Sequence, residues 1–335
     1  MKIARSVIAV DSHTMGEPTR IVIGGLPNIP GNSMQEKRRF LTNNMDHIRQ
    51  ALMLEPRGHD DMFGSILTAP CNPEADLGII FMDTGGYLNM CGHGTIGAAT
   101  VAVEMGLVDV KEPFTEIVFD APAGLVRAKV KVENGKAKGV TVRNVPAFLY
   151  KKDVELEIPP YGNVKIDIAF GGSFFALAKA KDFGISVEKR YTSELIDIGM
   201  KIRQAANDVV PVIHPENPHI RSIDLTEISD SPSHPDAHMK NIVILGNKSV
   251  DRSPCGTGTC AKMAALYAEG KLQLGQDFVH ESILGTLFTG RLVGTTKVGD
   301  FDAVVPEITG RAFITAVSHF MIDDEDPLKY GFSLR

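Results

Sequence analysis

Two stretches of this chain read as helices that have no polar face. Gly94 to Met105 runs Gly-Thr-Ile-Gly-Ala-Ala-Thr-Val-Ala-Val-Glu-Met, small or apolar on every side until Glu104, and Gly258 to Glu269 repeats that character with Lys262 as its main exception. A helix without a polar face has to be enclosed. Small side chains all round let other backbones approach closely, which suits a helix threaded through a curled sheet. Two such helices imply two domains, and 335 residues with 43% hydrophobic content are enough to bury two cores of ordinary size.

The rest of the pattern is dominated by strands. Short β-type runs occur at Ser6 to Val10, Ile21 to Ile23, Val164 to Phe170, Ile242 to Leu245, Leu292 to Thr296 and Phe313 to Val317. Val126, Ala128, Val130 and Val132 alternate with polar partners, and Asn134-Gly135 then supplies a hairpin turn before Val140 and Val142. Between neighbouring strands there is rarely room for a crossover helix, so antiparallel pairing and an α+β architecture are expected. Two amphipathic helices complete the outline. One begins near Ser33, with Glu36 completing a capping box, and buries Leu41, Met45, Ile48 and Leu52; the other begins near Ser193 and repeats Leu195, Ile198, Ile202 and Ala205.

Each enclosed helix opens on the same motif. Cys91-Gly92-His93-Gly94-Thr95 and Cys255-Gly256-Thr257-Gly258-Thr259 agree at four of five positions and lie 164 residues apart, close to half the chain. The amides at a helix start have no partner inside the helix, so each motif is an anion site with a thiol at its rim. The partial positive charge there is expected to lower the pKa of both thiols. If the halves face each other, the two sulfurs flank whatever anion the amides hold. An amino acid bound by its carboxylate would lose its α-proton to one thiolate and gain a proton from the opposite thiol, inverting the carbon without metal or redox cofactor.

Other uses of these residues are weaker. Thirty-five Lys and Arg against 41 Asp and Glu give a net charge of -6 with no basic run, so neither nucleic acid nor a membrane surface is an expected partner. No window approaches the roughly 18 uncharged apolar residues of a spanning helix. Met1 to Ser6 leads into no secretory pattern, and four cysteines are too few to staple such a chain. A cytoplasmic protein with reduced thiols is expected. Cys71 and Cys260 are read as small buried hydrophobes. Gly92-x-Gly94-x-x-Gly97 satisfies a dinucleotide fingerprint, but its lead-in, Gly85 to Met90, is loop-like rather than a strand. A thiol phosphatase would need an arginine where Gly97 and Ala261 stand. His214, His219, His234 and His238, near Asp236, sit among prolines at irregular spacing and read as loop histidines rather than metal ligands. His93 shares the mouth of the first helix with Cys91, and Asp251 is its candidate counterpart before Cys255.

With these residues in view, the chain resembles the proline racemase family. Met90 to Thr95 and Asp251 to Thr259 look like its two signature motifs, and Asp11 to Arg20, Glu55 to His59, Phe170 to Phe175 and Asp326 to Lys329 resemble it in order. The resemblance implies a diaminopimelate epimerase-like fold with two pseudo-symmetric domains, each a β-barrel-like sheet around a central helix. The domains would be 1–160 plus 310–335, and 161–309. It further implies a homodimeric, cofactor-independent racemase or epimerase of proline-type amino acids, with proline racemisation as the leading reading. Carried over by position, Cys91 and Cys255 are the two bases, the amides of Gly92, His93, Gly256 and Thr257 hold the carboxylate, and His93 and Asp251 contact the ring nitrogen. Dehydratases of the family replace one cysteine, and both are present here. Phe63 and Phe81 match the aromatic pocket wall, whereas its third aromatic falls on Leu245, which loosens the pocket. The alternatives are an epimerase of 4-hydroxyproline and a non-catalytic amino-acid binding protein.

Overall fold

Asn134 and Gly135 both take positive φ, 53° and 71°, as a two-residue hairpin whose twist matches its strands requires. They join Gly124–Glu133 to Lys136–Arg143 in an antiparallel pair. The computed structural model describes residues 3–246 and 248–334, and the chain divides into two compact units, Met1–Val142 with Gly310–Arg335 and Arg143–Thr309.

In the first unit, Ile3–Thr14 pairs antiparallel with both Glu17–Gly24 and the returning C-terminal strand Ala312–Asp323. Glu17–Gly24 then runs parallel to Phe63–Thr68, with the helices Met34–Asn44 and Asp46–Met53 between them in sequence. Phe63–Thr68 pairs antiparallel with Leu77–Asp83, which folds back through Tyr87–Leu88. The enclosed helix Gly92–Glu104 follows, and Phe114–Ala121 comes back parallel to Leu77–Asp83.

The second unit repeats this order strand for strand. Phe148–Ile158, Gly162–Phe170 and Phe174–Lys179 are antiparallel neighbours. After the helix Thr192–Val209 comes Ile223–Asp230, parallel to Phe174–Lys179 and antiparallel to Met239–Leu245, which folds back through Val250–Asp251. The enclosed helix Gly256–Ala268 then leads to Asp277–Ser282, parallel to Met239–Leu245, and to the hairpin of Leu287–Val298 with Phe301–Gly310. The duplication suggested by two short motifs thus extends over the whole topology. A boundary at 160 would leave Phe148–Ile158 in the first domain, whereas it pairs along its length with Gly162–Phe170 inside the second unit.

Antiparallel pairing holds wherever a hairpin makes the connection. Among the described residues it fails at four pairings within the units, two in each, and a helix crosses over at every one of them. Parallel neighbours need a dozen or more residues to connect them, and the four helical stretches supply that length. The amphipathic helices are therefore crossovers as well as covers.

Both enclosed helices begin within the repeated motif, at Gly92 and Gly256, and Cys91 and Cys255 are themselves the N-caps. Every residue from Gly94 to Val103 is buried. The stripe Leu41, Met45, Ile48 and Leu52 is buried as expected but spans two helices, because the chain breaks at Met45 with φ -137°. Burying each of these side chains contributes about 1.5–3 kcal/mol. In Thr192–Val209 the stripe drifts to Ala206 rather than Ala205. Ser33 Oγ accepts from the amide of Glu36 at 3.2 Å, while the Glu36 carboxylate accepts from Asn32 rather than from Ser33, at 2.8 Å. Ser33→Ala is expected to cost about 1 kcal/mol of stability, read by urea unfolding; an unchanged midpoint would show that the cap is dispensable. No helix among the described residues is long and apolar enough to cross a membrane.

Candidate active site

Cys91 follows the loop after Tyr87–Leu88 and caps its helix from an extended conformation, φ -151° and ψ 128°. Its Sγ accepts from the amide of Gly94 at 3.3 Å, and His93 Nδ1 lies 3.3 Å from the same sulfur. Thr14 Oγ1 donates to the His93 carbonyl at 2.9 Å and ties the helix start to the first strand. The Phe63 ring meets the His93 ring edge-on at 4.3 Å, and Phe81 lies 6.4 Å from Phe63. Gly94 has to be glycine, since a Cβ there would come within 2.8 Å of Phe63 and 3.0 Å of Phe81. Phe63, Phe81, Cys91, Gly92 and His93 therefore cluster at the start of the first enclosed helix, bringing aromatic rings, a thiol and helix amides together. The first amides of a helix have no acceptor within it, and here Gly92 and His93 supply the first two.

Cys255 repeats the sulfur–amide contact, accepting from Gly258 at 3.3 Å, with Thr257 Oγ1 at 3.7 Å. Its backbone differs. Cys255 has φ 64° and ψ 115°, a left-handed value that costs a non-glycine residue of the order of 1–3 kcal/mol and is held by its surroundings. Ser253 Oγ accepts from the Cys255 amide at 3.1 Å and donates to Asp251 Oδ1 at 2.7 Å. Asp251 is buried and fixed by the pairing of its strand with Val243. Asn241 Nδ2 donates to the Pro254 carbonyl at 2.8 Å and secures the turn from behind. Asp251, Cys255, Gly256 and Thr257 cluster at the start of the second enclosed helix. Leu245 ends its strand opposite Leu225, half-buried.

Burial pushes the Cys255 thiol well above its usual value, the Asp251 carboxylate beside it adds to the rise, and the Gly258 and Thr257 hydrogen bonds oppose it. The expected lowering by the helix start is present but outweighed, because desolvation penalises the thiolate more than the amides stabilise it. Cys255 is therefore a neutral thiol near neutral pH, suited to giving a proton. Cys260 lies fully buried inside the helix with its thiol pushed up to about 12 by burial, as befits a small hydrophobe. The Cys71 sulfur lies 3.9 Å from that of Met34.

The loop histidines organise turns. Nδ1 of His214 accepts from the amides of Glu216 and Asn217, that of His234 from Asp236 and that of His238 from Val279. No group of three His, Cys, Asp or Glu able to hold a metal occurs among the described residues. Residues that sequence reasoning did not single out also shape the two helix starts. Thr14 and Ser253 do so by the bonds above, and Glu227 and His280 lie buried behind the Cys255 turn with Lys262. Lys262, the one charged residue of Gly256–Ala268, was the visible signal.

The model of the family described as proline racemase matches residues 9–333. The chain is 58% identical to a proline racemase of Clostridioides difficile across 100% of both chains. It is 48% identical to proline racemase A of Trypanosoma cruzi, covering 100% of this chain and 84% of that one. Among solved structures, a hydroxyproline epimerase from Agrobacterium vitis with bound trans-4-hydroxy-L-proline superposes with a TM-score of 0.89 at 32% identity, over 100% of this chain and 97% of that one.

Proposed function

The chain belongs to the proline racemase family, and we propose that within it this protein racemises proline by a two-thiol mechanism. It is an isomerase of the racemase and epimerase type. The observation that carries the mechanism is the matched pair of cap cysteines, each with its sulfur 3.3 Å from the amide of the third residue on.

In this mechanism the helix-start amides at Gly92, His93, Gly256 and Thr257 take the substrate carboxylate. Cys91 as thiolate removes the α-proton, and Cys255 as thiol delivers its own proton to the opposite face. The protein is left with Cys91 protonated and Cys255 ionised, ready for the other enantiomer or for proton exchange with solvent. Charge from the carbanion moves onto the carboxylate oxygens, where the amides already point. Each well-aimed donor contributes roughly 3 to 4 kcal/mol to that step. His93 and Asp251 face the ring nitrogen, and Phe63, Phe81 and Leu245 hold the apolar ring. Both proton transfers use the chain's own sulfurs.

L-Proline alone should lose its optical rotation to zero, and D-proline should do the same from the other side; no decay with any proline derivative would end the proposal. Pyrrole-2-carboxylate, planar like the carbanion, should bind at least about 100-fold more tightly than proline, as a transition-state mimic does. Equal affinities would instead mark an amino-acid binding protein. The epimerase reading draws on Leu245, which stands where the family pattern has an aromatic, and a larger kcat/KM for 4-hydroxyproline than for proline would favour it. A homodimer, implied by the likeness, and the cytoplasmic location expected from the sequence complete the proposal; light scattering in solution checks the first.

A further inference from the structure

The two cap cysteines stand on opposite chemistry. Behind the Cys91 turn, the space at Gly94 is closed by the rings of Phe63 and Phe81. Behind the Cys255 turn, a Cβ at Gly258 would lie 2.8 Å from Glu227 Oε2 and 3.2 Å from Cys255 Sγ, so the carboxylate and the sulfur flank the same glycine. Glu227 is fully buried, with Lys262 Nζ 3.5 Å and His280 Nε2 4.0 Å from its Oε1. His280 in turn contacts Thr259 Oγ1 through Nδ1 at 3.0 Å.

The duplicated topology supplies an internal comparison. Ser65 lies opposite Phe81, which lies opposite Leu88; Glu227 lies opposite Val243, which lies opposite Asp251. Glu227 thus occupies the place of Ser65. Lys262 and Ala98 each stand seven residues beyond their cap cysteine. His280 pairs with Met239 as Phe119 pairs with Leu77, on the strand that follows each helix. In the first unit these places hold Ser65, Ala98 and Phe119, all buried and none ionisable. The fold therefore closes around its helix without charge. A buried ion pair is rarely more stable than apolar residues of similar volume, so stability does not account for the second arrangement.

Its orientation does. Glu227 Oε2 lies at the N-terminal turn beside Gly258, which Cys255 Sγ also flanks, while Lys262 and His280 approach Oε1; burial pushes the Glu227 carboxyl up, and the Lys262 charge and the Asn241 side chain oppose that rise and favour the carboxylate. We propose that Glu227, with Lys262 and His280 beside it, is a positioning group that makes the two thiols chemically unlike and reserves Cys255 as the proton donor of the resting protein. This rests on the two-thiol reading above. The carboxylate competes for the positive end of the helix, which at Cys91 is left to the thiolate and the ligand. The two carboxylates near Cys255 act in the same direction, while the Lys262 charge behind Glu227 acts against them. Asp251 on its strand and Glu227 on its strand both disfavour the thiolate, and the Gly258 amide and Thr257 hydroxyl oppose them. Burial and the nearby Lys262 charge keep His280 neutral, its pKa well below the usual imidazole value.

Iodoacetamide labelling across a pH series, read at each cysteine by peptide mass spectrometry, tests this on the full-length protein. Glu227→Gln, and Glu227→Gln combined with Lys262→Met to keep the pocket neutral, should move the Cys255 labelling midpoint to lower pH. A shift of about one unit gives about tenfold more label at Cys255 relative to Cys91 at a fixed pH. The single variant, which leaves Lys262 positive, should shift it further than the pair, and Glu227→Asp should restore much of the original midpoint. An unchanged ratio and midpoint in both variants would overturn the proposal. So would a uniform rise at all four cysteines at every pH, which marks a merely structural role. Labelling reads the thiols whatever the substrate is, so a protein that labels as expected but leaves proline untouched would lose the substrate reading alone.

Discussion

Replacing either cap cysteine by serine is expected to cut proline racemisation by about 1,000-fold or more, whichever enantiomer is supplied. Positioned acid–base groups contribute typically about 10²–10⁴-fold, and each sulfur is the acid in one direction and the base in the other. A serine hydroxyl ionises far too weakly to take the sulfur's place. It remains a good helix cap, however, and can accept from the Gly94 or Gly258 amide as the sulfur does now. Cys91→Ser and Cys255→Ser should therefore melt within a few degrees of the parent while polarimetry shows no decay. Either variant turning over at the parental rate would remove that sulfur from the mechanism. In deuterium oxide the parent protein should place deuterium at the α-carbon of the product enantiomer before it appears in unreacted substrate, because the proton given comes from a different group than the one that took it.

The second large effect is expected at Gly171. A Cβ on that residue would lie 2.2 Å from the Thr257 carbonyl oxygen and 2.5 Å from the Ala261 amide nitrogen. Both are backbone atoms of the helix that Cys255 caps, so no side chain can rotate away to relieve the collision. Gly171→Ala has to push the helix start bodily. Overpacking of this kind costs typically about 1–3 kcal/mol, and a misplacement of about 1 Å at a reacting group can cost about 100-fold in rate. The variant should unfold earlier in urea and racemise proline about 100-fold more slowly. Gly294→Ala, where nothing lies within 4 Å of the added carbon, serves as the control. Equal behaviour of the two variants would show that the helix start tolerates displacement.

Much of the candidate site was legible from residue order because its parts are local. A cysteine followed by Gly-x-Gly-Thr can cap a helix with its own side chain, and the cap, the sulfur–amide contact and the first-turn amides all lie within four residues. The Asn134-Gly135 hairpin and the Ser33 cap belong to the same class. The parallel pairings were missed because nothing in a strand's own residues says which neighbour a crossover helix will bring beside it. Lys262 stood out as the one charge in an enclosed helix, but its partner Glu227 comes from a distant strand.

The sequence by itself determined the two helix starts, the thiols that cap them, and the small and apolar side chains that oblige each helix to be enclosed, since these depend on contacts within one or two turns of chain. Only the tertiary structure decided what surrounds each of the two thiols. Whether a sulfur at a helix start is ionised depends on how much water it loses and which charges are packed behind it, and those come from strands far away in the chain: aromatic rings behind Cys91, and a buried acid with Asp251 beside Cys255.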